Sequence, residues 1–359
     1  MRARLLGLTL LAGIAAAALI GVAAAQNERG AFGEPRAEAS DVERKIFQDG
    51  LRQFSRAWDE NDGVGQRFNA NSCVGCHSAP VAGGSGVKAD SFVLVANDIA
   101  DAGGGHVFRR FQRTEDGVIE LPPPSGASRR KPLSLFGLGL LELADLRRPA
   151  APVPGPDKIR GKLGGTAEKP GRFGWKARVP DIKSFTATAF AQELGVGGRA
   201  PSRNYPLELA VEEVAAFVAL LGPPPPNRDI DDGTRAGEKI FVEIGCAQCH
   251  TPSLAPSRKA EAESGYRPEI RAYTDLLLHD MGPTLADGIV EGNAGPSDFR
   301  TPPLWGVGAS GPPYLHDGRA KDLAEAVAMH DGEARNTRAR WEQLPASDRV
   351  ALISFLRSL

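Results

Sequence analysis

The stretch Asn71-Ser72-Cys73-Val74-Gly75-Cys76-His77-Ser78-Ala79-Pro80 holds Cys73, Cys76 and His77 as C-x-x-C-H. Residues three apart on a helical turn face the same way. Two thiols so placed reach the two vinyl groups of one haem as thioethers, and the histidine that follows swings its imidazole to the iron. That local fit makes the pattern a c-type haem attachment site. Cys246-Ala247-Gln248-Cys249-His250 repeats it, and the two motifs use all four cysteines of the chain. Disulfides, the ordinary expectation for an exported chain, are therefore not indicated. Zinc is one rival, because two C-x-x-C pairs can supply four ligands; these pairs lie far apart in the chain and each carries a histidine next to it. A thioredoxin-like dithiol is another, but it needs a βαβ context with the pair at a helix start. Here the second pair follows a helical pattern and no strand pattern precedes it. The reading is two covalently bound c-type haems, with His77 and His250 as proximal iron ligands.

The 359 residues suffice for two domains with a sizeable core. Glycine (42) and proline (28) are abundant, which suits a loop-rich globular protein. The formal net charge of -1 gives no basic footprint for nucleic acid. Residues 1–25 read as a signal peptide: Arg2 and Arg4, an apolar run from Leu5 to Ile20, then Ala23-Ala24-Ala25 as cleavage site. The rival is an uncleaved anchor, since the run approaches spanning length. No later segment is apolar enough to span, so the expectation is an exported protein, most simply periplasmic, with no stable membrane span after cleavage. Export also fits the motifs, because c-type haem is attached outside the cytoplasm.

Helical spacing covers Asp41–Trp58, with Ile46, Phe47, Leu51 and Phe54 on one face. It returns at Leu140–Leu146, Phe185–Leu194, Leu207–Leu221, Asp232–Ile244 and Asp322–His330. A last helix is expected from a Ser347 cap to Leu359, with Val350, Ile353 and Leu356 inward. Ser91–Ala100 reads as a short strand or extended segment. Pro223–Pro226 forbid helix and mark a boundary. The halves look duplicated. Lys45-Ile46-Phe47 and Lys239-Ile240-Phe241 each precede a C-x-x-C-H, and Arg130 and Arg300 follow the motif histidines by 53 and 50 residues. Each arginine leads into Leu-aromatic-Gly-aliphatic-Gly, at Leu135–Gly139 and Leu304–Gly308. The expected fold is mostly α and loop-rich: two cytochrome c-like domains, 26–222 with a connecting segment and 227–359, each around one covalent haem.

Longer strings resemble a known family. Tyr273-Thr-Asp-Leu-Leu-Leu-His279-Asp-Met-Gly282, Arg300-Thr-Pro-Pro-Leu-Trp-Gly306, Pro313-Tyr-Leu-His316-Asp-Gly-Arg319 and Leu323-Ala-Glu-Ala-Val327 are similar, in this order, to runs of the bacterial di-haem cytochrome c peroxidases. Gly171-Arg-Phe-Gly-Trp175-Lys-Ala177 resembles the branch called di-haem oxidoreductases, "putative peroxidases", also labelled thiol oxidoreductases. With every cysteine tied to haem, no thiol is left for the work that last label names.

The resemblance implies an oxidoreductase of peroxidase type. A small redox protein or quinone-linked donor would feed the second haem, and a small oxidant would react at the first. In the peroxidases a methionine fourteen positions after the H-D-G histidine ligates the second haem; that count from His316 reaches His330, with Met329 one short. Neighbours on a helix point about 100° apart, so one of the two can face the iron, and His330 is the candidate. Its duller role is a helix-end histidine. Met281 falls where the match predicts no ligand. A distal histidine follows the first motif closely in the peroxidases; here His106 lies 29 residues past His77, as a labile ligand or a solvated loop residue. Glu142 is the candidate distal acid, or a surface residue of an amphipathic helix. Trp175 is the candidate electron relay, or a buried aromatic in a turn. His316 and Arg319 resemble a haem-environment pair, and Arg300 a partner for a propionate or a brace for its loop. The rival function is an electron-transfer cytochrome with both irons six-coordinate. An oxygenase is a third reading, one that requires a large apolar pocket over the first haem.

Overall fold

The computed structural model describes residues 31–97, 107–149, 155–157, 159–196, 205–225 and 230–359. The signal-peptide reading, His106 and the end of the proline run lie outside these residues. Eight helices carry the architecture: α1 (Asp41–Ser55), α2 (Leu138–Leu143), α3 (Ile182–Gln192), α4 (Leu207–Leu220), α5 (Asp232–Glu243), α6 (Leu323–Ala328), α7 (Arg335–Gln343) and α8 (Ala346–Ser358). α1 packs on α4 and α5 on α8, so each C-x-x-C-H follows the first helix of a packed pair.

The caps explain where the helices start. Ser40 and Glu43 form a reciprocal capping box at α1. Asp181 and Asp231 accept from backbone N–H groups at the starts of α3 and α5. α1 turns Phe47, Gly50 and Phe54 inward, while Ile46 is 41% exposed, contrary to the face read from spacing. A Cβ at Gly50 would meet the Glu213 carbonyl of α4 at 2.2 Å, so the glycine sets how closely the helices approach. At the C-terminus Pro345, not Ser347, occupies the cap position, and the buried stripe is Leu352, Phe355 and Leu356. Val350 is 66% exposed. Leu352, Phe355 and Leu356 fall at i, i+3 and i+4, so the helical period was right and its phase was not.

The chain is less purely α than its sequence suggests. β1 (Arg67–Phe68), β4 (Phe111–Thr114) and β5 (Gly117–Glu120) form one small sheet, and β2 (Val93–Val95), β3 (Val107–Phe108) and β6 (Ser128–Arg130) another. β7 (Ala144–Pro149) pairs antiparallel with β8 (Leu254–Pro256), which ties the halves together. β9 (Leu278–Asp280) pairs with β10 (Asp298–Arg300), setting His279 opposite Phe299.

The internal repeat is visible in the backbone. Gly137 and Gly306 share φ 72 and ψ 8, each opening a short helix from the left-handed region that favours glycine. Two residues on, a Cβ at Gly139 would fall 1.9 Å from the Ala219 carbonyl at the end of α4. One at Gly308 would fall 2.3 Å from the Arg357 carbonyl at the end of α8. One core gathers Phe47, Phe54, Trp58, Phe190 and Phe217; another gathers Phe241, Trp341, Leu352 and Phe355. Leu254, Ile270, Leu276 and Trp305 of the second half join the first core.

Candidate haem sites

Two mostly apolar cavities lie inside the molecule. The first, about 370 Å³, has Cys73, Cys76 and His77 on its wall. The second, about 210 Å³, has Cys246, Cys249, His250 and His330. A reverse turn presents each motif: the N–H groups of Cys76 and His77 both donate to the Cys73 carbonyl, and the His250 N–H to that of Cys246.

The histidines are held by their inner nitrogens. Nδ1 lies 3.2 Å from the Gly84 carbonyl in His77, 3.1 Å from that of Tyr273 in His250, and 2.7 Å from that of Ala326 in His330. An Nδ1–H donated to a carbonyl leaves Nε2 as the lone-pair nitrogen, the usual arrangement of a metal-ligating imidazole. Burial pulls all three below the ordinary histidine range, so they are neutral at pH 7. His250 falls to about 4, from burial first and then the charge of a protonated His330 across the same cavity.

The thiols argue against dithiol chemistry. All four cysteines are free. Burial pushes Cys73, Cys76 and Cys246 up to about 12 and raises Cys249 as well. A redox-active pair needs a thiolate at neutral pH. Among the described residues, no group of three or more His, Cys, Asp and Glu is arranged to hold a metal ion.

Trp175, Arg300, Tyr314 and Leu315 line both cavities and stand where the two meet. Trp175 Nε1 donates to the Lys131 carbonyl at 2.8 Å, and the Arg300 N–H donates to the Trp175 carbonyl at 2.8 Å. Arg300 Nε donates to the Gly174 carbonyl at 2.8 Å, while its Nη1 is buried with no hydrogen-bond partner. Burial pulls this guanidinium down to about 10. A buried N–H without a hydrogen-bond partner, on a residue that lines both cavities, would suit a propionate carboxylate. His316 lines the second cavity, stacked on Phe299 at 4.2 Å, with its Nε2 buried and unbonded. Burial draws it down to about 4.

Other candidates fall elsewhere. Glu142 lines neither cavity; its carboxyl, raised mainly by burial, bonds the Ile182 backbone and sits by Arg172. Arg319 also lines neither, and clamps Asp317 at 2.6 Å and the Thr284 carbonyl at 2.6 Å. Met281 reaches the wall of the second cavity, whereas Met329 does not. Sequence reading passed over two groups of the first cavity. Lys131, drawn down to about 8 by burial, donates to the Pro313 carbonyl at 2.6 Å. Glu193 closes α3. The available signal was a charged residue ending or flanking an otherwise apolar run.

Residues 210–359 match the family described as "Di-haem oxidoreductase, putative peroxidase". Over this region the chain is similar to that family of di-haem oxidoreductases. The second C-x-x-C-H and the resembling strings from Tyr273 to Val327 lie inside the match; the first motif precedes it. Solved structures similar to the chain include hydrazine synthase of Kuenenia stuttgartiensis, 17% identical, covering 88% of this chain and 87% of that one, TM-score 0.48. Another is a MauG-like protein associated with microbial copper homeostasis, 15% identical, covering 93% and 94%, TM-score 0.48. A third is a variant of the di-haem peroxidase BthA from Burkholderia thailandensis, 15% identical, covering 91% and 94%, TM-score 0.44. No curated protein sequence matches the chain.

Proposed function

We propose that the protein is an exported di-haem c-type enzyme that reduces hydrogen peroxide or a related small oxidant at the first haem. Electrons enter through the second haem from a small redox protein or a quinone-linked donor. The observation that carries this reading is the asymmetry of the cavities. His250 and His330 share the second, whereas His77 is the one histidine, with no methionine, among the described residues lining the first. His250 and His330 could both ligate a haem in the second cavity, which would suit electron storage, and His77 alone in the first would leave a coordination position for an oxidant.

The bound haem supplies one-electron chemistry and, where a position is open, a site for the oxidant's oxygen. The residues do the rest. Cys73 and Cys76 anchor the first group and Cys246 and Cys249 the second, which spares the cysteines from any redox role. Gly84 and Tyr273 fix the tautomers of His77 and His250. Arg300 would meet propionate charge between the sites. Trp175 and Tyr314 are aromatic residues that line both cavities, and Trp175 is the candidate electron relay between them. Export rests on residues 1–25. Among the described residues no helix is long and apolar enough to cross a membrane.

Mass spectrometry should find two covalent haems, and the reduced protein should bind carbon monoxide at one of them and consume peroxide with a c-type cytochrome as donor. Two low-spin haems that ignore carbon monoxide would turn the reading to an electron-transfer cytochrome. His330→Met should raise one midpoint potential, since methionine in place of histidine favours the ferrous state. Unchanged midpoints would remove His330 from the ligand set.

A further inference from the structure

His279 stands on the wall of the second cavity, at the centre of β9, and is 2% exposed. Both of its ring nitrogens face carboxylates. Nδ1 lies 2.8 Å from Glu333 Oε2, and Nε2 lies 2.9 Å from Asp275 Oδ2. An ionised carboxylate only accepts hydrogen bonds, so each nitrogen carries a proton and the ring is an imidazolium. Charge-assisted bonds of this kind are roughly twice as strong as neutral ones. Cys249 Sγ lies 3.6 Å from the same Nδ1, so the ring also rests against an anchor of the second haem.

The two carboxylates come from the segments that carry the cavity's two histidine supports. Asp275 lies two residues past Tyr273, whose carbonyl receives Nδ1 of His250. Its other oxygen takes the Leu277 N–H at 3.0 Å, which closes the loop. That loop needs holding: Tyr273 and Leu276 have φ 53 and 59, the left-handed region that bulky side chains avoid. Glu333 lies three residues past His330, in the turn Gly332–Ala334. Its other oxygen is 3.5 Å from the Asp280 nitrogen. A Cβ at Gly332 would fall 2.2 Å from the Asp280 carbonyl, so this turn is pressed against the strand that carries His279. One ring therefore ties the loop that orients His250 to the turn that follows His330. The bond from His330 Nδ1 to the Ala326 carbonyl cannot do this, because it stays within the chain's own α6 and moves with it.

We propose that His279 is a positioning residue of the second haem, a fixed imidazolium bridge that keeps His250 and His330 together within reach of one iron. This rests on the two-histidine reading of the second cavity in the proposed function.

The test uses the haem-loaded protein. His279→Gln removes the charge and offers a single nitrogen in place of two. Its second haem should lose part of its low-spin spectrum and, once reduced, bind carbon monoxide, so that both haems of the variant bind the gas where one does in the wild type. Glu333→Ala leaves Asp275 and its loop alone, cuts the bridge at the His330 end, and should give the same gain. The two changes together should do no more than either alone, because they break one bridge. A merely structural role would lower the unfolding midpoint and leave the second haem low-spin and inert to carbon monoxide. That outcome in H279Q overturns the proposal. If H279Q does not fold, E333A decides, since the Glu333 side chain is 31% exposed. A second haem unchanged there in spin state and carbon monoxide binding overturns the proposal equally. If the wild type ignores peroxide but H279Q still opens the second haem, the proposal stands and the peroxide reading falls. If the wild-type second haem already binds carbon monoxide, the proposal falls together with the two-histidine reading.

Discussion

Replacing Cys73 and Cys76 together by alanine should leave a protein with one covalent haem and no peroxide turnover. The second cavity would remain able to load, because Cys246, Cys249, His250 and His330 lie apart from the change and are held by their own backbone contacts. The remaining haem should be low-spin and should not bind carbon monoxide, since His250 and His330 would both be available to its iron. Alanine offers no sulfur for a thioether, and a thioether is uncharged, so no charge is gained or lost. The reciprocal change at Cys246 and Cys249 should leave a single haem that still binds carbon monoxide but turns over slowly, for want of the electron entry. Mass spectrometry and carbon monoxide difference spectra distinguish the two. Two haems retained in the first variant, or undiminished turnover, would show that the motif does not carry the reactive group.

The two C-x-x-C-H motifs stand out in the sequence because their pattern is local, three side chains within five residues, and each lies on the wall of a cavity. The repeat was legible for the same reason, and Gly137 and Gly306 share one backbone conformation. His330 could be reached by counting, and it does share a cavity with His250. Glu142 could not be judged that way. It follows the repeat in sequence, but α2 points it at Arg172 and the start of α3 instead of into the cavity. Glu193 was invisible because its partners, Asn69 and Cys76, come from the other end of the first half. Of the strands, β2 (Val93–Val95) falls inside the Ser91–Ala100 segment read as a short strand; the others were missed because they run two to six residues, too short for an alternating pattern to show. Lys176 shows the limit most clearly. It reads as one residue of a Gly-rich turn, and the groups that hold it lie 119 and 120 positions away.

Lys176→Met should cost about 3–5 kcal/mol of stability, the range for removing one partner of a buried ion pair. Lys176 is 1% exposed. Its ammonium lies 3.1 Å from Asp287 Oδ1, donates to the Gly295 carbonyl at 2.9 Å and the Pro296 carbonyl at 3.3 Å, and sits 4.0 Å over the Phe299 ring. Asp287 is fully buried and also bonds Arg130, which reaches Glu291 at 3.4 Å. The lysine thus behaves as an internal cation that closes the first half of the chain against the second. Methionine matches its length but leaves a buried carboxylate with one cation fewer and two carbonyls without this donor. It also frees Phe299, on which His316 stacks in the wall of the second cavity, so the midpoint of the second haem should shift. Urea unfolding of the holoprotein measures the first effect and redox titration the second. Adding Asp287→Leu should return part of the lost stability, because the stranded charge leaves with it. A single variant within about 0.5 kcal/mol of wild type, the usual span of a surface change, would show that the cluster is not what joins the halves.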